Sequence, residues 1–256
     1  MAGRAIWKGQ IHFRGVDVPV KLHTAVREER IQFHLLHRRD HVKLRQQMVC
    51  AYEKVPVPAE EQARGLELEE GKYLLVDPAD LERAEPEESR VIEVHEFVKT
   101  DEIDPVFLEH AYYLEPENRG KGYMALAGVL SEMDLAGICT WTMRKRSYLG
   151  ALQAGGRILR LSTLRYADEV ISVESLELPV IALAEKELKI GGDLINQLTA
   201  PFQPQKFENE HQKKVQQLID KKARGEKIAI LRPRRLKPTT SDKLLQALEA
   251  SLRKVA

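Results

Sequence analysis

The sequence is poor in the residues that stabilise extracellular and membrane proteins. Only Cys50 and Cys139 are cysteines, and they form no CxxC pair, so we predict no disulfide framework. No apolar run approaches the roughly eighteen residues that a membrane span needs. The start, MAGRAIWKGQIHF, lacks the basic and apolar regions of a signal peptide. We therefore expect a cytoplasmic protein without a membrane partner.

Signatures of catalysis are also missing. The sequence has no GxxxxGK[ST], GxSxG, HExxH or KxDG motif, and no GxGxxG after a strand. The histidines of HLLHRRDH (His34, His37 and His41) are the nearest approach to a metal cluster, but a strand and a turn do not require them to converge. We therefore expect no enzyme activity, no metal and no cofactor. Aromatic residues make up only 6% of the chain, which argues against a stacking platform for single-stranded nucleic acid.

Charge is separated along the chain although the net charge is only +1. Residues 1–49 hold ten Lys/Arg against four Asp/Glu, and residues 50–119 hold seven against twenty. Residues 120–200 balance, and residues 201–256 hold fourteen against six. Such blocks indicate surfaces of opposite sign, and the basic ones are candidates for binding a polyanion. Ordinary solvated surface is the alternative.

The apolar pattern of the first two thirds predicts short strands. AIWKGQIHFRG alternates with a period of two, and VDVPVKL resumes after Gly15 with Val16, Val18, Val20 and Leu22 facing inward. Pro19 cannot donate to a ladder, so this strand is expected at an edge or a bulge. RIQFHLLH and HVKLRQQMV predict a hairpin around RRD. Further strands are predicted at KYLLV, RVIEVHEFV, AYYL, ICTWTM and GRILRLSTLRY, a spacing typical of a barrel or sandwich.

Helical periodicity appears in four places. GKGYMALAGVLSEMDLAG predicts a helix that ends at Gly137, with its apolar stripe formed by Tyr123, Leu126, Ala127, Leu130 and Met133. LAEKELKIGGDLINQL and FENEHQKKVQQLIDKKARG predict two amphipathic helices, the second closed by Gly225. A basic linker then leads to SDKLLQALEASLRKV, a short helix whose apolar stripe comprises Leu244, Leu245, Leu248 and Leu252. The predicted class is α+β, mainly an antiparallel β-barrel core.

Three consecutive cations end the apolar run in TMRKRSYLGAL. If the strand ICTWTMRKR continues through them, Arg144 and Arg146 share one side and Lys145 projects opposite. Such a row suits phosphates spaced along a duplex, where no base is read. The alternative is an exposed strand end that pairs with the acidic block.

Five blocks in order resemble the prokaryotic Ku proteins of non-homologous end joining. They are AIWKGQIHFRGVDVPVKL, FHLLHRRD, EESRVIEVHEFVKTDEIDPVF, AYYLEPENRGKGY and LSTLRYADEV, and they cover most of residues 4–170. The EIDP and LRYADEV segments are the most specific. One departure is that Arg146-Ser147-Tyr148-Leu149 stands where a pattern like RxREHL is expected, which puts in doubt a DNA contact by that histidine.

The resemblance implies a barrel core with an extended bridge and a C-terminal helical arm. Two subunits would close into a ring that threads onto a double-stranded DNA end, protects it and recruits the ATP-dependent DNA ligase D, in the nucleoid. Residues 1–183 would form core and bridge, 184–227 the arm with the dimer contacts, and 228–256 the ligase-binding segment with its four leucines. The implied DNA-binding residues are basic: Lys8, Arg14, Lys21, Arg38, Arg39, Lys43, Arg45, Arg144, Lys145 and Arg146.

Two other functions stay open at this stage. A lysine-dependent lyase acting on abasic DNA ends is suggested by the eukaryotic relatives and would need a lysine with a depressed pKa. A sequence-specific repressor is disfavoured, because no helix-turn-helix is apparent.

Overall fold

The computed structural model describes residues 4–27, 31–118, 120–179 and 184–225. The chain divides into two compact units, one comprising residues 1–29 with 34–173 and the other residues 30–33 with 174–256. The predicted ligase-binding segment 228–256, including Leu244, Leu245, Leu248 and Leu252, lies outside the described residues.

A closed barrel of seven strands forms the core of the first unit, and within the described residues a separate two-stranded sheet accompanies it. The barrel order is β1-β2-β6-β9-β8-β7-β5, and β3-β4 is the separate hairpin. The strands are β1 (Trp7–Phe13), β2 (Val16–Thr24), β3 (Arg64–Glu69), β4 (Lys72–Val76), β5 (Val91–Lys99), β6 (Leu108–Pro116), β7 (Leu135–Met143), β8 (Arg146–Gly155) and β9 (Ile158–Leu164). The family resemblance predicted this barrel, and the structure confirms it.

The barrel closes where β1 pairs in parallel with β5, whereas every other neighbouring pair in the barrel is antiparallel. Gln10 pairs with Val91 and His12 with Glu93 along this seam. The strand β2 is therefore not at an edge, and that prediction is wrong. Pro19 is accommodated because β6 ends at Pro116, which pairs with Val20, so the ladder needs no N–H from Pro19.

Apolar side chains at alternate positions of the strands fill the barrel interior. Val18, Val20 and Leu22 of β2 are buried, as their period-two spacing predicts, but Val16 at the strand's start is exposed. In β7 the buried side chains include Cys139, Trp141 and Met143. The burial of Cys139 raises the pKa of its thiol to about 12. This cysteine is therefore an inert core residue.

The helix α2 (Lys121–Met133) packs on the barrel through its predicted stripe. Tyr123, Leu126, Ala127 and Leu130 are buried, whereas Met133 is exposed at the helix end. The helix stops at Met133 because Asp134 adopts a left-handed conformation with φ of 52°. The prediction that Gly137 ends it is wrong, since Gly137 lies within β7.

Strand β8 was not predicted, because its sequence RSYLGALQAG contains small residues and no clear alternation. The small residues have a packing reason. A Cβ on Gly150 would come within 2.4 Å of the Trp141 ring. Gly150 in this sequence therefore reflects close contact with the large Trp141 side chain, and it does not mark a loop.

The part of the chain that the structure describes contains three further α-helices outside the barrel. The short α1 (Pro78–Arg83) follows β4, and the second unit contains α3 (Glu185–Leu198) and α4 (Glu210–Ala223). Both long helices were predicted, and Gly225 follows α4 with φ of 75°. No helix within the described ranges is long and apolar enough to cross a membrane.

Candidate nucleic-acid interface

The β1–β2 hairpin carries three of the predicted DNA-binding cations. Arg14 forms the two-residue turn with Gly15, and both have positive φ, as a tight hairpin requires. Lys8 and Lys21 are cross-strand partners. Like charges placed directly opposite repel, so this pair favours a nearby anion. Glu117 supplies one within the chain, 3.7 Å from the Lys8 ammonium.

The second group of cations lies on the segment 31–57. Hydrogen bonds from Leu44 N to Leu35 O and from His37 N to Val42 O form a hairpin around residues 38–40. The predicted turn is confirmed, but the described pairing is an isolated bridge between Leu36 and Lys43 and not a ladder of strands. No residue of this segment is buried. Its four predicted cations, Arg38, Arg39, Lys43 and Arg45, are accordingly exposed.

The histidines of this segment do not form a metal site. His37 Nδ1 lies 2.8 Å from Asp40 Oδ1, and that contact is the main cause of the lowered pKa of Asp40. Asp40 also accepts a hydrogen bond from Val42 N. Throughout the described part of the chain, no three His, Cys, Asp or Glu side chains are placed to hold a metal ion together.

The basic run Arg144-Lys145-Arg146 is a turn and not the end of a strand. Strand β7 ends at Met143, and Arg144 and Lys145 both have positive φ, so they form a two-residue hairpin turn. Arg146 begins β8 and pairs with Met143. The predicted row, with Arg144 and Arg146 on one side of one strand, is therefore wrong. The physical reason is that Arg144 and Lys145 adopt left-handed conformations, which reverse the chain between β7 and β8.

Lys145 is engaged by the acidic block, which the sequence left as the alternative. Its ammonium donates to Glu85 at 2.8 Å. This hydrogen bond, the charge of Glu85 and the charges of Glu82 and Glu88 raise the pKa of Lys145. Lys8 and Lys145 thus have carboxylate partners. The other eight predicted cations have no carboxylate within 4.0 Å among the described residues.

Tyr148 occupies the position where the resemblance leads us to expect a histidine. Its ring stacks on that of Trp141, with centroids 5.3 Å apart and an interplanar angle of 21°. The two residues are cross-strand partners in β7 and β8. Tyr148 therefore contributes to packing, which agrees with the doubt about a DNA contact at this position.

The two most specific sequence segments contact each other. The Arg165 guanidinium, from LRYADEV, donates to the carbonyls of Val106 and Leu108 at 2.7 and 2.8 Å. Asp104, from EIDP, accepts a hydrogen bond from Val106 N at 2.8 Å. These segments together fix the entry of β6 beside the end of β9. Their specificity therefore reflects one joint structural element.

Comparison with known families identifies this architecture. The family described as the Ku70/Ku80 beta-barrel domain matches residues 12–190. The chain belongs to the Ku family. The match begins at the end of β1, includes the other six barrel strands and ends within α3.

Individual Ku proteins match along nearly the whole chain. Non-homologous end joining protein Ku 2 of Geotalea uraniireducens (strain Rf4) is 73% identical over 256 residues, covering 100% of both chains. Non-homologous end joining protein Ku of Solibacter usitatus (strain Ellin6076) is 33% identical, with 97% of this chain and 92% of its own covered. Non-homologous end joining protein Ku 1 of Geotalea uraniireducens is 36% identical, with 100% and 98% covered.

Sequence reasoning missed three residues of this Ku protein that the structure places in prominent positions. Arg165 was quoted within the most specific motif but given no role. Arg4 and Arg90, far apart in sequence, line one cavity with the β7–β8 turn. The motif's specificity could have pointed to Arg165, whereas nothing in the pattern joins Arg4 to Arg90 before the β1–β5 seam is known.

Proposed function

We propose that this protein binds double-stranded DNA ends without sequence preference, as a homodimeric ring that threads onto the broken end. It protects the end and recruits the ATP-dependent DNA ligase D in non-homologous end joining. Membership of the Ku family carries this proposal, since relatives that match nearly the whole chain are named for non-homologous end joining.

The charge of the first unit supports a phosphate-directed grip. Eight of the ten predicted cations lack a described carboxylate neighbour, and they lie on the β1–β2 hairpin, on the β7–β8 hairpin and on the open segment 31–57. Contacts with phosphates supply affinity but carry no base information. Each neutralised phosphate releases counterions, so log affinity falls against log salt with a slope of about −0.9 per contact.

A ring explains preference for ends by topology alone, because a closed aperture is entered only at a terminus. The test is a mobility shift with linear and covalently closed circular DNA of identical sequence at two salt concentrations. We expect stable complexes on the linear form and loss of affinity at the higher salt. Equal affinity for circles and linear DNA would contradict the ring.

Exposed apolar side chains of the second unit support the dimer. On α3, Leu188, Ile195 and Leu198 are exposed, although a lone amphipathic helix gains its stability from covering such a face. We assign the dimer contacts to residues 184–227 and expect two-fold symmetry. A chain truncated before Ala184 should be monomeric in analytical ultracentrifugation. A tight dimer of that truncation would refute the assignment.

The proposed ligase contact uses the leucines of residues 228–256. The spacing of these leucines in the sequence predicts an apolar stripe on one face of a helix, which would suit a groove on a partner. Leu245→Asp combined with Leu248→Asp should abolish capture of purified ligase D while leaving DNA binding intact. Retained capture by this variant would place the ligase contact elsewhere.

The lyase alternative gains no support from the described lysines. Formation of a Schiff base at neutral pH favours a lysine whose pKa is lowered. Where the pKa of a described lysine is clearly displaced, at Lys145 and Lys213, it is raised by a carboxylate partner. Borohydride trapping on a duplex with an abasic end should therefore give no covalent adduct.

A further inference from the structure

A cation-lined cavity of about 610 Å³ opens at one rim of the barrel. Three stretches meet there: residues 4–8 leading into β1, residues 88–90 leading into β5, and the β7–β8 turn with its flanks. The parallel pairing of β1 with β5 brings the starts of both strands to the same rim. The antiparallel pairing of β5 with β7 adds the end of β7.

The lining is strongly basic. Arg4, Lys8, Arg90, Arg144 and Lys145 contribute five cations, and Glu88 is the one carboxylate among the described lining residues. Ser89 and Thr142 add hydroxyl groups. Trp7 provides an aromatic wall beside them. The cavity therefore offers charged donors, neutral donors and an apolar surface in one place.

Neighbouring carboxylates neutralise only part of this charge. Lys8 lies 3.7 Å from Glu117, and Lys145 lies 2.8 Å from Glu85. No described carboxylate lies within 4.0 Å of the three arginine side chains. With Glu88 set against Arg4, Arg90 and Arg144, the cavity keeps a surplus of two positive charges.

We propose that this cavity binds a terminal phosphate, that is, a phosphomonoester. Such a group carries a charge of about −1.5 to −2 at neutral pH, which matches the surplus of the cavity. Guanidinium groups bind phosphate oxygens through paired, charge-assisted hydrogen bonds, so three arginines are a suitable donor set. A bridging phosphodiester has only one negative charge and would leave the site undercompensated.

A phosphomonoester reaches the protein from two sources. One source is the 5′-phosphate of a DNA strand end, and binding it rests on the proposed function. The other source is a free phosphorylated compound such as a nucleoside monophosphate, and binding it does not depend on the proposed function. The cavity chemistry is common to both, and the sources are separated by using each as a probe.

The first experiment measures binding of thymidine 5′-monophosphate and thymidine to the full chain by calorimetry. We expect saturable binding of the monophosphate and, because charge-assisted hydrogen bonds dominate, a loss of at least about tenfold in the Arg4→Gln, Arg90→Gln double variant. Arg157→Gln is the matched control. Arg157 is an exposed arginine between β8 and β9, at the far end of β8 from the cavity, and should leave binding unchanged.

The second experiment compares duplexes with 5′-phosphate and 5′-hydroxyl ends. A preference for phosphorylated ends that disappears in the double variant identifies DNA as a source. A preference for the monophosphate over thymidine, without any preference among duplexes, identifies a small phosphorylated compound. Either outcome supports the phosphate site.

The proposal is overturned if neither probe gains affinity from its phosphate, or if the gain persists unchanged in the double variant. Binding of the 5′-hydroxyl duplex reports separately on the proposed function. Should every duplex fail to bind while the monophosphate binds, the end-binding function fails and the phosphate site stands.

Discussion

Lys145 and Glu85 form an ion pair of 2.8 Å that joins the β7–β8 turn to the acidic stretch before β5. The pair lies at the position where the sequence suggested an uninterrupted row of cations. The negative charges of Glu82 and Glu88 also help to raise the pKa of Lys145. The acidic block therefore restrains one predicted DNA-binding residue and leaves its neighbours Arg144 and Arg146 without a described carboxylate partner.

Releasing Lys145 should strengthen DNA binding. Glu85→Gln removes the paired charge, so we expect higher affinity and a salt slope steeper by up to about 0.9, the value for one added phosphate contact. Fluorescence anisotropy with a duplex across a salt series measures both. Glu87→Gln is the control, because Glu87 is not among the carboxylates that raise the pKa of Lys145. Unchanged affinity in Glu85→Gln would show that Lys145 does not reach DNA.

Removing the unpaired cations of the 38–40 turn should have the opposite effect. Arg38→Gln with Arg39→Gln should flatten the salt slope by about 1.8, because two phosphate contacts are lost. The loss should be similar for duplexes of different sequence, since no base is read. The same titration measures it, with Arg157→Gln as control. A sequence-dependent loss would contradict the phosphate-only grip.

The Tyr123 hydroxyl should be important for stability. It donates to Leu114 O at 2.6 Å and accepts from Leu159 N at 2.7 Å, so it is inserted between paired residues of β6 and β9. Tyr123→Phe leaves two buried backbone groups unsatisfied, and we expect a loss of about 1–3 kcal/mol in the free energy of unfolding.

Urea denaturation followed by circular dichroism measures this loss. Tyr113→Phe is the matched control, because Tyr113 lies on β6 next to Leu114 and has an exposed side chain. Equal stability of both variants would show that water replaces the hydroxyl at no cost.

The clamp made by Arg165 should also be structural. Arg165→Lys keeps the charge but cannot hold the carbonyls of Val106 and Leu108 in the same geometry, so we expect a loss of about 1 kcal/mol. Arg157→Lys, on an exposed turn, should change stability little. Denaturation curves of the two variants measure the difference in the free energy of unfolding. A DNA-binding defect in Arg165→Lys at full stability would instead make Arg165 a binding residue.

His12 should titrate above its ordinary pKa of 6.5. Its Nδ1 lies 2.7 Å from Asp17 Oδ1, and this hydrogen bond, aided by the charge of Glu93, raises the pKa. The raised pKa means that the ionised pair stabilises the fold below about pH 6.5, and that this contribution is lost as pH rises through the folded-state pKa. Nuclear magnetic resonance titration measures it. Asp17→Asn should return the pKa towards 6.5, and no change in that variant would remove Asp17 as the cause.

The alternation and helical periodicity of apolar residues predicted most of the strands and helices, but they did not predict how the strands close into a barrel. Val20 and Leu22 lie in the barrel as expected, and Tyr123 and Leu126 form the buried stripe of α2. Local pattern did not reveal β8, because the strand lacks clear alternation and contains Gly150, which leaves space for the Trp141 ring. That space is a property of the tertiary structure and is not visible in the alternation of a single strand.

The candidate site was predictable in composition and not in geometry. The basic character of residues 38–45 and 144–146 is evident from the sequence, and these residues are exposed. The turn at Arg144 and Lys145 was misread because strand patterns do not mark where a hairpin reverses. The pairing of Lys145 with Glu85, and the meeting of Arg4 with Arg90, depend on contacts between distant residues.

The seam between β1 and β5 bears on how the chain is synthesised. β1 and β2 leave the ribosome first, whereas their other partners, β5 and β6, are synthesised only after residues 25–90. Meanwhile the first hairpin has two open edges, which readily pair with other chains. Because β7, β8 and β9 connect β5 to β6 in the barrel, the barrel closes only after these last three strands have been synthesised. A nascent chain halted before Leu135 therefore exposes unpaired strand edges, which favour aggregation.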